Sequence, residues 1–150
     1  CAIPLIRGSY RSRSYEEIMN EVEYLHNQGI KELTLIQQDT SKYGIDLPNM
    51  SLAKLLDDIC NLNYFEWVRV LYLYPDEITD ELIEVFHKHD TLLNYFDIPI
   101  QHISDSVLKR MGRKTTKDNI INVPNHTFSP EMEDVFDKKK VVEETMKHLL

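Results

Sequence analysis

Short apolar runs alternate with amphipathic stretches of helical period from Ser14 to Met111, and this alternation most limits what the chain can fold into. Ser14 followed by Glu17 has the form of a capping box, Ile18, Val22 and Leu25 recur at helical spacing, and Gly29 stands at a helix end. The spacing predicts a helix over about 15–28, a strand over Glu32–Ile36, and a second helix capped by Ser51 with Leu52, Leu55, Leu56 and Ile59 facing inward. Trp67 to Leu73 reads as a buried strand ended by Pro75, and Thr79 opens a third helix with Leu82, Ile83 and Phe86 on its inner face. Tyr95 to Ile98 reads as a further strand closed by Pro99, and Ser104 as the cap of a fourth helix. Strands alternating with helices imply βαβ crossovers and a parallel sheet. The fold class is therefore α/β, with three to four βα units in an open sheet rather than a closed barrel. Residues 1–120 carry this pattern. Residues 121–150, with two prolines, a charged block over 131–140 and a helix-like end over 141–150, are left unassigned.

Charge and hydropathy narrow the function. The net charge of −8 argues against a nucleic-acid binder that uses its whole surface, and no run approaches the ~18 apolar residues of a membrane span. A cytoplasmic location and no direct nucleic-acid or membrane partner are expected. Two cysteines in 150 residues do not make a disulfide framework. There is no P-loop, GxSxG, HExxH or GxGxxG pattern. That suits an enzyme whose cofactor carries the hard chemistry, and it suits an inert chain equally.

In parallel α/β folds, ligands sit at the carboxyl ends of strands. That rule selects Gln37-Gln38-Asp39-Thr40, Tyr72-Leu73-Tyr74-Pro75 and Pro99-Ile100-Gln101-His102. Position alone leaves open that these residues only cap strands and begin loops. Cys60 reads as a packed core residue, and His87 and His89 as residues that solvate the end of the third helix. Arg7, Arg11 and Arg13 either hold an anion or pair with the acidic first helix.

The run Cys1-Ala2-Ile3-Pro4, Arg7-Gly8 and Arg11-Ser12-Arg13 resembles the stretch after the third cysteine of the CxxxCxxC loop in radical S-adenosylmethionine (SAM) methylthiotransferases. The blocks Gln38-Asp39-Thr40-Ser41, Tyr43-Gly44-Ile45-Asp46, Leu71-Tyr72-Leu73-Tyr74-Pro75, Asp97-Ile98-Pro99-Ile100-Gln101-His102 and Lys109-Arg110-Met111 look like those of the RimO-type branch. The resemblance implies a partial radical-SAM barrel. Cys1 would be the third thiolate of a [4Fe–4S] cluster, with the other two cysteines upstream, and thiolates are the soft ligands such clusters take. Gln38 would approach the methionine part of SAM and Gln101 its nucleoside side. The implied reaction is hydrogen abstraction from the β-carbon of an aspartate in a small-subunit ribosomal protein, followed by methylthiolation that uses a second cluster in an upstream domain. The electron donor is not identified by these residues. A tRNA methylthiotransferase of the MiaB type is the alternative enzyme. A non-catalytic remnant or interaction module is the alternative outside enzymes, with this chain alone expected to be inactive.

Overall fold

A computed structural model describes residues 5–6 and 8–121. Cys1 and Arg7 lie outside the described residues, as does the expected helix over 141–150.

Helix α1 (Tyr15–Asn27) begins as the sequence predicts. Ser14 accepts from the Glu17 amide while the Glu17 carboxylate accepts from the Ser14 amide at 3.1 Å, which satisfies two otherwise unpaired donors. It ends in a Schellman turn. Gly29, at φ +75°, donates to His26, and Ile30 donates to Leu25. Strand β1 (Glu32–Ile36) follows, then a 3₁₀ turn over Thr40–Lys42 and helix α2 (Leu52–Asn61). Ser51 caps α2 by accepting from Lys54, and Thr79 caps α3 (Asp80–Lys88) by accepting from Leu82. Between these helices lies β2 (Trp67–Leu71), two residues shorter than the Leu73 limit expected. Helix α4 (Asp105–Arg110) has Ser104 at its N-cap, but the Ser104 hydroxyl meets Ser106 instead of capping a backbone amide.

Strands β1 and β2 pair in parallel, Glu32 opposite Trp67 through Ile36 opposite Leu71. The expected third strand at Tyr95–Ile98 is not a strand. The chain there runs beside β2 but holds it only at its two ends. Val68 donates to Thr91 and accepts from Leu93, and Leu73 then donates to Asp97. The offset between donor and acceptor grows from 23 residues (91 − 68) to 24 (97 − 73), so one extra residue has entered the outer segment. Its position is identified by the Tyr95 amide, which turns back to the Leu93 carbonyl at 2.7 Å in a tight i→i+2 turn. That amide is lost to the ladder, and regular pairing stops.

The helices cover one side of this sheet. Leu33, Val68 and Val70 are buried among Leu52, Leu55, Leu56 and Ile59 of α2 and Leu82, Val85 and Phe86 of α3. Cys60 lies in the same core, as its surroundings in the sequence suggested, and burial pushes its thiol pKa up. The opposite side of the sheet, with Thr34, Ile36, Trp67 and Arg69, remains open among the described residues. Parallel sheets are normally covered on both faces. On the open side Arg69 pairs with Glu32 at 2.9 Å and lies 5.6 Å from the Tyr95 ring centroid.

His89 does more than solvate a helix end. Its Nε2 lies 2.6 Å from Asp57 Oδ1, and Lys88 Nζ reaches the same oxygen at 2.7 Å, which ties the end of α3 to α2. Lys88 first, and His89 second, hold the Asp57 carboxyl below its ordinary pKa. A carboxyl whose pKa is depressed by folding stabilises the fold above the unfolded-state value of about 3.9, and that contribution is lost as pH falls through the folded value. Asp57→Asn is therefore expected to cost about 1 kcal/mol at neutral pH, since the pair is partly exposed. The difference from wild type should narrow as acid protonates Asp57. Urea unfolding at stepped pH measures this, and a difference that stays constant down to about pH 2 would contradict it.

Candidate functional site

Two of the three loops selected from the sequence meet at the carboxyl edge of the sheet, and Asp97, two residues before the third, joins them. Thr40 is the junction. Its hydroxyl accepts from the Gln37 amide at 2.9 Å and donates to the Leu71 carbonyl at 2.6 Å, while its own amide donates to the Tyr72 carbonyl at 3.0 Å. The loop after β1 is thereby folded over the end of β2. Ser41 extends the junction, donating to Asp39 at 2.7 Å and accepting from the Tyr74 amide at 3.1 Å. Lys42 binds Asp39 at 2.6 Å, and chiefly through that bond its ammonium pKa is raised. From the far side, Asp97 accepts from the Tyr72 amide at its carboxylate and from the Leu73 amide at its carbonyl.

These bonds hold Tyr72 in an uncommon state. By strand alternation Tyr72 would share the buried side of Val68 and Val70. Instead it adopts φ +60°, its side chain stands 45% exposed, and Leu73 takes the buried place at 0%. A left-handed bulky residue costs about 1–3 kcal/mol and persists only where its surroundings over-determine it. The bonds from Thr40 and Asp97 supply that constraint. Gln101 is similar, with φ +63° at the centre of a turn closed by the His102 amide on the Ile100 carbonyl at 2.7 Å. Two strained side chains thus stand at the carboxyl edge, where ligands bind in this class of sheet.

Gln38 and Gln101 are both exposed at this edge, on the loops after β1 and after the outer segment. Each side-chain amide carries both a donor and an acceptor. His102 accepts from the Ser104 amide at its Nδ1 (2.8 Å) and so serves the turn into α4. A nearby hollow of about 190 Å³, lined by Lys42, Glu77 and Glu81 together with Tyr43, Met50 and Leu82, is below the ~300–1,000 Å³ usual for small-molecule sites. The open edge and sheet face, rather than this hollow, offer room for a cofactor.

Tyr10 and Ser12 lie against the same edge. Tyr10 donates to the Gln37 side chain at 3.2 Å, Ser12 accepts from the Gly44 amide at 3.0 Å, and the Ser12 amide donates to Asp46 at 2.9 Å. Gly44 is required here. Its φ is +89°, and a Cβ would lie 2.5 Å from the Met50 carbonyl oxygen. Arg13 pairs with Glu21 of α1, so for that arginine the ion-pair reading holds. Among the described residues no cluster of three metal-binding side chains occurs, and Cys60 is buried in the core. Cys1, the cluster ligand that the resemblance implies, lies outside the described residues.

Three residues of this edge had no role assigned from the sequence: Thr40, selected only as part of a cluster, Asp97, which acts as a clamp, and Arg113. The Arg113 guanidinium lies 5.0 Å from the Tyr74 ring centroid, with Lys42 5.8 Å from the same ring. Thr40 and Asp97 stood inside motif blocks. Gly112, two residues past the end of α4, was the available signal for Arg113.

An open parallel α/β sheet with its polar residues gathered at the carboxyl edge is the architecture of a partial βα barrel. The chain belongs to the radical SAM superfamily, whose family pattern matches residues 1–146. Among curated proteins it is similar to the ribosomal protein uS12 methylthiotransferase RimO of Clostridium botulinum (strain Loch Maree / Type A3), 57% identical over 124 residues. The protein of the same name from Alkaliphilus oremlandii (strain OhILAs) is 55% identical over 124 residues, and that from Clostridioides difficile (strain 630) 50% over 126. These matches cover 82–83% of this chain and 28% of each relative. No helix among the described residues is long and apolar enough to cross a membrane.

Proposed function

We propose that this chain is part of the SAM-binding core of a methylthiotransferase that modifies an aspartate of ribosomal protein uS12. The observation that carries this reading is the identity of 50–57% to RimO proteins across most of the chain. When bound, a [4Fe–4S] cluster and SAM would supply radical chemistry able to act at an unactivated carbon. The residues of this chain have simpler tasks. Cys1 provides one thiolate to the cluster. Gln38 binds the methionine part of SAM and Gln101 the nucleoside part, each by amide hydrogen bonds. Tyr72, held outward by Thr40 and Asp97, lines the surface between them. The open sheet face beneath borders the space in which the acceptor is held. A cytoplasmic setting follows from the ribosomal acceptor.

The test uses the full-length protein that carries this segment, reconstituted with iron and sulfide and supplied with SAM and a reductant. Mass spectrometry of uS12 should show one added methylthio group on a single aspartate. Methylthiolation of tRNA with uS12 unchanged would replace this reading with the tRNA-modifying one. No product on either would leave the interaction-module reading.

A further inference from the structure

Arg113 is not assigned a role by any motif, yet its setting is built. Helix α4 ends in a second Schellman turn, with Gly112 at φ +71° donating to Lys109 and Arg113 donating to Leu108 at 2.9 Å. This turn reverses the chain and returns it to the carboxyl edge. Two residues on, buried Thr115 donates to Asp76 at 2.5 Å, which anchors the segment to the loop after β2. Between these two fixings the Arg113 guanidinium lies against Tyr74, half-buried.

The other cation that lies over the Tyr74 ring, Lys42, has carboxylate partners. Lys42 has Asp39 and Glu77, and Asp76 is engaged by Thr115. Among the described residues the Arg113 guanidinium makes no ion pair with an acidic side chain, and it lies against the Tyr74 ring. A planar guanidinium resting on an aromatic face keeps its N–H edge free, and that edge matches a carboxylate in two parallel hydrogen bonds. Burying part of an unpaired cation is unfavourable, which is accounted for if an anion arrives with the ligand.

We propose that Arg113 binds a carboxylate of the bound ligand at the carboxyl edge. This rests on the function proposed above, which offers two sources of that one group: the methionine carboxylate of SAM and the side chain of the acceptor aspartate.

The experiment is equilibrium binding to the reconstituted full-length protein, wild type and Arg113→Gln, with four probes. They are SAM, decarboxylated SAM, an acceptor peptide with aspartate and the same peptide with asparagine. The glutamine variant should lose roughly 10- to 100-fold in affinity for the carboxylate-bearing probe it serves and nothing for the counterpart lacking it. Loss confined to SAM against decarboxylated SAM assigns the cofactor carboxylate. Loss confined to the aspartate peptide against the asparagine peptide assigns the acceptor. Arg113→Lys, which keeps the charge without the planar fork, should show a smaller loss in the same probe, and it is read in place of the glutamine variant if that one does not fold. Wild-type affinities for all four probes in both variants would overturn the inference and leave the proposed function standing. A wild-type protein that binds neither SAM nor peptide would count against the proposed function instead.

Discussion

Truncating Leu56 to alanine is expected to lower the unfolding free energy by about 2–5 kcal/mol, among the largest effects of any single change in the core. Leu56 is 0% exposed and sits on α2, the helix that packs against both α1 and α3 and stands over Val68 and Val70 of β2. Removing three carbons there loses their transfer energy and leaves a cavity that close-packed neighbours fill only in part. Small domains have only about 5–15 kcal/mol of net stability, so this one site controls a large share of it. Ile45, at 70% exposure, supplies the contrast, and Ile45→Ala should change stability by no more than about 0.5 kcal/mol. Urea unfolding of the two variants against wild type measures both. Equal losses at the two positions would mean that the core is not where the burial pattern places it.

Thr40→Val is the second large effect, and it joins stability to the site. Valine matches threonine in shape but strands two groups at once, the Gln37 amide donor and the Leu71 carbonyl acceptor. Leaving a buried polar group unpaired costs about 1–3 kcal/mol, so the variant should lose about 2–4 kcal/mol in all. Thr40→Ser keeps both bonds and gives up one methyl group, which costs about 1 kcal/mol. The two losses should therefore differ clearly. The consequence for the site is local. Without the Thr40 junction, the bond from the Thr40 amide to the Tyr72 carbonyl weakens, and Tyr72 loses one of the restraints that keep it left-handed. Amide hydrogen exchange should quicken at Gln37 and at Thr40, and should be unchanged in the middle of α2. A valine variant as stable as the serine variant would show that the hydroxyl is not the junction described.

Much of this was legible in the chain because local chemistry decided it. The Ser14–Glu17 capping box, the Ser51 and Thr79 caps and the Gly29 turn depend on residues three to five positions apart, and each occurs where the sequence places it. The outer strand was misread for a reason of the opposite kind. Tyr95 to Ile98 has strand-like residues, but the turn closed by Tyr95 on Leu93 removes the amide that pairing needs, and side-chain pattern does not report that event. Gln38 stands in the loop after β1, as its place in the sequence suggested, whereas Gln101 follows a segment that is not a strand. Arg113 was not singled out, because it meets Tyr74 only after two turns of chain, the Gly112 reversal and the Thr115 anchor, have brought the ring and the cation together. The left-handed state of Tyr72 was hidden too, since tyrosine gives no sign of it; only the bonds from Thr40 and Asp97 do.

The central claim is that this chain contributes a cluster ligand and a SAM-binding edge to a radical enzyme. Its most direct measurement is electron paramagnetic resonance of the reduced, reconstituted full-length protein, with and without SAM, in wild type, Cys1→Ala and Cys60→Ala. The account predicts a [4Fe–4S] signal in wild type that SAM alters, the same signal in Cys60→Ala, and loss of the SAM-sensitive signal in Cys1→Ala. A SAM-sensitive signal that survives Cys1→Ala unchanged would contradict it.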